Sequence, residues 1–198
     1  MYRFVESLGV EQRRLMHLEW HERRMRQTLL HHYGIEPEIN LQAAIELPAE
    51  LDDRVYKCRI EYGASVERVA FLLYEPKTVN TLRLVLDDGI GYSFKHEDRS
   101  AFDRLLKQRE GADDILVVRN GCLTDTSFSN IILLREGTWY TPDTFLLNGT
   151  CRQRLLAEGV IRETRITVDD LEHYSAIKLI NALLDWKKMP PVSLLGFS

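Results

Sequence analysis

Between Asp114 and Leu134 the chain reads DILVVRNGCLTDTSFSNIILL. Two runs rich in Val, Ile, Leu and Thr flank Asn120-Gly121, a pair that readily supplies the two positive φ angles of a type I′ turn. The segment therefore predicts an antiparallel hairpin, and everything around it must accommodate one. An acid interrupts its second run. Strand interiors disfavour Asp, so Asp125 needs a reason: a carboxylate satisfying turn or backbone amides, or one placed for chemistry. Period-two spacing puts Ser127 and Ser129 on the same face. Downstream, REG reads as the next turn, TWYTPD continues the sheet, and LLNGTCR leads into a helix from Thr150 to Glu158 closed by Gly159.

Upstream, Glu11–Tyr33 reads as a helix with Leu15, Leu18, Met25 and Leu29 inward and Gly34 as its stop; His17, His21, Arg23, Arg24 and His32 fall on the polar remainder. Asn40 is placed to cap a second helix that Pro48 limits. VYKCRIEYG, VERVAFLLYEP and TVNTLRLVL read as strands, and a helix carrying Phe102, Leu105 and Leu106 follows Lys95. VIRETRITV reads as a further strand, Thr167-Val-Asp-Asp as a capping box, and AIKLINALLDW as a last strand and its exit. Irregular alternation with antiparallel hairpins favours an α+β architecture over a doubly wound parallel sheet. The seam falls near Glu75–Asp88, giving a small N-terminal α/β lobe over 1–80 and a larger hairpin-rich lobe over 81–198.

Composition narrows the function classes. The 198 residues are 44% hydrophobic and 28% charged, with a net charge of −4 and a pI near 5.9. That describes a globular protein and argues against a nucleic-acid partner, which favours a concentrated basic surface. Three cysteines, Cys58, Cys122 and Cys151, show neither metal-ligand spacing nor a disulfide framework, so no metal is expected and reduced thiols fit a cytoplasmic protein. The opening MYRFVESLGVEQRRL lacks the apolar core of a signal peptide, and no apolar run reaches membrane-spanning length.

Three features carry chemistry. Lys95 follows Tyr92-Ser-Phe, an aromatic stretch suited to desolvating an amine and lowering its pKa. Asp125 is a carboxylate on a strand. Gly149-Thr150-Cys151-Arg152 ends an extended segment and opens a helix, where unsatisfied N–H groups and the helix dipole favour an anion. Each is ordinary alone: most lysines are solvated surface charges, and many helices begin with a Gly-Thr pair. Together they are the parts a pyridoxal 5'-phosphate (PLP) site requires: an amine for the aldehyde, an acid facing the pyridine nitrogen, and amides for the phosphate.

The order of segments, Lys95 … NGCLTDTSFSNI … GTWYTP … LLNGTCR … INAL, resembles the fold-type IV PLP enzymes: the class IV aminotransferases (branched-chain and D-amino acid) and 4-amino-4-deoxychorismate lyase. His21-Glu-Arg-Arg24-Met resembles that family's H-x-x-R-L. The resemblance implies a two-lobed, D-amino acid aminotransferase-like fold in which the 81–198 lobe binds the cofactor. It implies that Lys95 forms the imine with PLP and shuttles the substrate's α-proton, and that Asp125 faces the ring nitrogen. Arg24 and the backbone around Gly149, Thr150 and Cys151 would hold the phosphate, with Ser129, Asn181 and Ala182 completing the cofactor site. The family usually carries Glu at the position of Asp125 and Thr at that of Cys151. Its opening strands are expected to be missing here, which shortens the N-terminal lobe.

The implied function is a PLP-dependent enzyme of a small amino substrate. Asn181-Ala-Leu and the Lys95-x-x-x-Arg99 spacing resemble the lyases, which make 4-aminobenzoate for folate synthesis, more than the transaminases. A class IV aminotransferase and a non-catalytic PLP-binding homologue are the alternatives. The family's site lies at a dimer interface, and exposed apolar strand surface such as VAFLLY points to a homodimer.

Overall fold

The computed structural model describes residues 3–34 and 39–195, which divide into two compact units. The first comprises residues up to Pro76 together with Phe94–Asp98; the second comprises Lys77–Ser93 and everything from Arg99 onward.

The first unit opens with a strand that the sequence reading does not anticipate. β1 (Phe4–Glu11) is buried along nearly its whole length, so its residues lack the alternation that marks a half-exposed strand. Positive φ angles at Gln12 and Arg13 turn it back into the two-residue β2 (Arg14–Leu15). The predicted helix therefore starts later, as α1 (Leu18–Tyr33), and ends at Gly34 in the left-handed conformation, whose N–H bonds the Leu30 carbonyl. α2 (Leu41–Ala44) is a single turn capped by Asn40, whose side chain accepts from the Ala43 N–H at 2.9 Å. β3 (Tyr56–Tyr62) and β4 (Val66–Leu73) complete an antiparallel sheet ordered β2-β1-β3-β4. Phe4, Leu8, Met25, Leu29, Leu41 and Ile60 fill its core. The Phe94–Asp98 segment lies along the start of β1: the Val5 N–H bonds the Lys95 carbonyl at 2.9 Å, and Phe4 bridges His96.

In the second unit, β5 (Thr81–Leu86) is joined through α3 (Ser100–Leu106) to a parallel neighbour, β6 (Asp114–Arg119). Asn120 and Gly121 turn with φ of 52° and 74°, and β7 (Cys122–Thr126) returns antiparallel. The expected hairpin stops there. A bend at Ser127–Phe128 carries the chain into another sheet, so β8 (Asn130–Arg135) pairs with β9 (Thr138–Pro142) and β11 (Ala176–Ile180) instead. α4 (Thr150–Ala157) precedes β10 (Arg162–Thr164), and β12 (Ser193–Leu194) joins β5 at the end. The sheets run β12-β5-β6-β7 and β10-β9-β8-β11, with Leu82, Leu116, Leu123, Ile131, Leu133 and Leu179 in one core. Thr167 is not the N-cap of the short 3-10 helix Asp169–His173, which Val168 precedes without a side-chain cap; instead its N–H and hydroxyl both donate to the Asp170 carboxylate. The architecture is α+β with mixed sheets.

Candidate active site

In the second unit, Asp125 is buried at the end of β7. Its Oδ2 accepts from the N–H groups of Leu146 (3.0 Å) and Leu147 (2.8 Å), and its Oδ1 accepts from the Asn130 amide at 2.8 Å. Burial pushes its carboxyl from 3.8 up to about 6, against these donors and the Arg152 charge, which pull it down. A carboxylate offers about four lone-pair positions, so three bonds leave one open on Oδ1.

Asn130 is the residue that sequence reasoning overlooked. Its Nδ2 also donates to the Leu147 carbonyl at 2.9 Å, and a Cβ built on Gly149 would meet its Oδ1 at 2.1 Å. One amide thus ties the acid to the loop and to the N-cap of α4. Only glycine permits that approach, and Gly149 contributes no side-chain cap. Thr150 and Cys151 open the eight-residue helix, at the positive end of its dipole. Cys151 itself is buried, and burial raises its thiol pKa. Arg152 anchors the preceding loop: it bonds Asn148 and the Pro142 carbonyl (3.0 Å each) and Glu163, and stacks 4.1 Å from the Phe145 ring.

Ser129 and Asn181 meet across β8 and β11, with the Asn181 Nδ2 donating to the Ser129 Oγ at 2.9 Å. Asn181 Oδ1 accepts from the Leu183 N–H at 2.8 Å, an Asx turn that holds Ala182 at its centre. Ser127 does not share a strand face with them, because it lies in the bend.

In the first unit, Arg24 and His21 belong to the buried stripe of α1 (His21, Arg24, Met25, Thr28, Leu29) rather than to its polar face. Their partner is Glu6 on β1, fully buried and absent from the sequence reading. Arg24 Nε and Nη2 donate to its two oxygens at 2.9 and 2.5 Å, and His21 Nδ1 donates to Oε2 at 2.7 Å. Burial alone would raise the Glu6 carboxyl. The Arg24 charge and these hydrogen bonds outweigh burial and bring it from 4.5 down to about 2. Burial holds the His21 pKa down against Glu6, and the charges of Arg24 and Lys95 add to that effect. Lys95 is half-buried on the segment paired with β1. Among the described residues, no cluster of His, Cys, Asp and Glu is suited to a metal ion.

Residues 96–191 match the family model for amino-transferase class IV. A protein of Haemophilus influenzae Rd is 37% identical over 185 residues, covering 92% of this chain and 98% of its own. A solved structure from Haemophilus somnus 129PT, named as a candidate 4-amino-4-deoxychorismate lyase, is 31% identical with a TM-score of 0.80; the match covers 92% of this chain and 97% of that one. A candidate amino-acid aminotransferase from Mesorhizobium loti shares the fold at 19% identity, with a TM-score of 0.81 and coverage of 98% and 100%. Against the PLP-bound form of a Mycobacterium tuberculosis aminotransferase, 18% identical with a TM-score of 0.71, this chain covers 82% of the length. The chain is thus shorter than that relative. With its motifs, its fold and these relatives in agreement, the chain belongs to the class IV amino-transferase family of fold type IV.

Proposed function

We propose that this chain is a PLP-dependent enzyme acting as a 4-amino-4-deoxychorismate lyase. The observation that carries PLP binding is the Asn130 junction, where a buried acid and a glycine-capped helix start are locked to one side chain. A ring nitrogen suits the open Oδ1 position of Asp125, and a phosphate suits the positive end of α4, so the residues fit the group. Bound PLP supplies an electron sink for a carbanion. Lys95 would hold the group through its aldehyde and would take the proton from the carbon bearing the substrate amine. Asp125 would face the ring nitrogen and keep it protonated. Arg24, oriented by Glu6, would hold the phosphate, as would Asn181 with Ala182, and Ser129 fixes Asn181. The Haemophilus somnus relative and the Asn181-Ala-Leu sequence favour the lyase, whose products are 4-aminobenzoate and pyruvate.

The test is to load purified protein with PLP, reduce it with borohydride, and locate the adduct. It is expected on Lys95, and an adduct elsewhere overturns the assignment. Incubation with aminodeoxychorismate should release fluorescent 4-aminobenzoate. Formation of a keto acid from amino acids instead would make the chain an aminotransferase, and inertness toward both would make it a binding homologue. The reading includes a cytoplasmic homodimer: Val66, Leu72 and Leu73 on β4 are 38%, 47% and 45% exposed, apolar surface on a strand that a second copy would cover. Light scattering over a dilution series should show a dimer. A fully active monomer would refute that part.

A further inference from the structure

The bend Ser127–Phe128 separates Asp125 from Ser129, the two side chains at its ends that the proposed function uses. Internally it is a tight hydroxyl turn: the Thr126 Oγ1 accepts from the Ser129 N–H at 3.0 Å and donates to the Ser129 carbonyl at 3.1 Å. Two charged side chains grip it from outside. Arg99 donates through Nη2 to the Ser127 carbonyl, its guanidinium 4.9 Å from the Phe102 ring and 5.9 Å from that of Tyr92. Asp114, the fully buried first residue of β6, accepts from its neighbour's N–H (Ile115, 2.9 Å) through Oδ1. Burial raises the Asp114 pKa, and hydrogen bonds from the Ser127 hydroxyl and the Ser127 N–H hold it back.

An arginine stacked on two rings is more than a surface charge. The geometry points to Arg99 and Asp114 as positioning residues that set the Ser127–Phe128 bend, and through it the spacing of Asp125 and Ser129 at the cofactor. The inference rests on the PLP reading above.

The test is a PLP titration of wild type, Arg99→Ala, Arg99→Lys and Asp114→Asn, followed by absorbance, beside thermal melts of the cofactor-free proteins. Supporting contacts one step removed from a bound metal change affinity by about ten- to a hundred-fold. Arg99→Ala should weaken PLP binding by about tenfold or more while its melting temperature stays near wild type. Arg99→Lys, which keeps a donor and a charge, should recover part of the affinity. Asp114→Asn, which preserves shape, should weaken binding less than Arg99→Ala and shift the absorbance maximum of bound PLP. If Arg99→Ala binds PLP as wild type does, or loses affinity only in step with melting temperature, the positioning role falls. If wild type itself does not bind PLP, the functional reading falls instead.

Discussion

Replacing Asp125 with Asn should make the cofactor-free protein relatively more stable at neutral pH, although Asp125 is the proposed ring partner. Its carboxyl is raised from 3.8 to about 6 by burial. A shift of about two units, at about 1.4 kcal/mol each, makes ionisation in the folded protein about 3 kcal/mol costlier than in the unfolded chain. The folded state binds this proton more tightly, so the contribution is complete below about pH 4 and is lost as pH rises through about 6. The substituted asparagine does not titrate. It brings a fixed penalty, because its NH2 group faces the Asn130 amide that now donates to Oδ1, and that penalty does not vary with pH. Urea unfolding of both proteins without PLP, at pH 4, 5, 6, 7 and 8, separates the two terms. The stability of Asp125→Asn minus that of wild type should climb by about 3 kcal/mol between pH 4 and pH 7 and then level off. A difference that is flat over that range, or that grows toward acid, would show that Asp125 is not a destabilised carboxyl.

Glu6→Gln should cost about 3–5 kcal/mol in denaturant unfolding at pH 7, because it leaves the Arg24 charge buried and uncompensated; a loss under about 1 kcal/mol would mean the pair is solvated. Gly149→Ala forces a methyl against Asn130 Oδ1, so a loss of about 1–3 kcal/mol is expected together with weaker PLP binding. A melt and a titration of that variant measure both. Asn130→Ala removes a donor that pulls the Asp125 carboxyl down, so the midpoint of the pH-dependent step above should move higher than about 6; an unmoved midpoint would discount that bond.

What is legible in the sequence is local. Asn120-Gly121 announces its turn because the required φ angles belong to those two residues, and Thr167 reaches Asp170 only three positions away. What is not legible depends on partners distant in the chain. FVESLGVE carries no period-two signal because it is covered on both sides, which hides β1 and Glu6 with it. His21 and Arg24 read as solvent-facing by charge alone, and only an acid 15 and 18 residues upstream makes their burial tolerable. Asn130 looks like a strand residue; its contacts with Asp125 and Leu147, 5 and 17 positions away, make it the junction of the site. The Ser127–Phe128 bend is hidden by the uniform apolar text on either side, which reads as one hairpin and folds into two sheets.

The assignment of Phe94–Asp98 to the first unit has a consequence for gene dissection. The main chain passes between units three times, so no single cut separates them: a fragment beginning at Lys77 keeps Lys95 in its sequence but loses Val5, whose N–H holds the lysine's backbone. Conversely, a fragment ending at Pro76 leaves the β1 edge there without its short pairing segment. The proposed catalytic amine is thus a guest of one unit, encoded inside the other. Recombination that shuffles the units as uninterrupted cassettes would separate the amine from its support, so the two units are expected to be inherited as one piece.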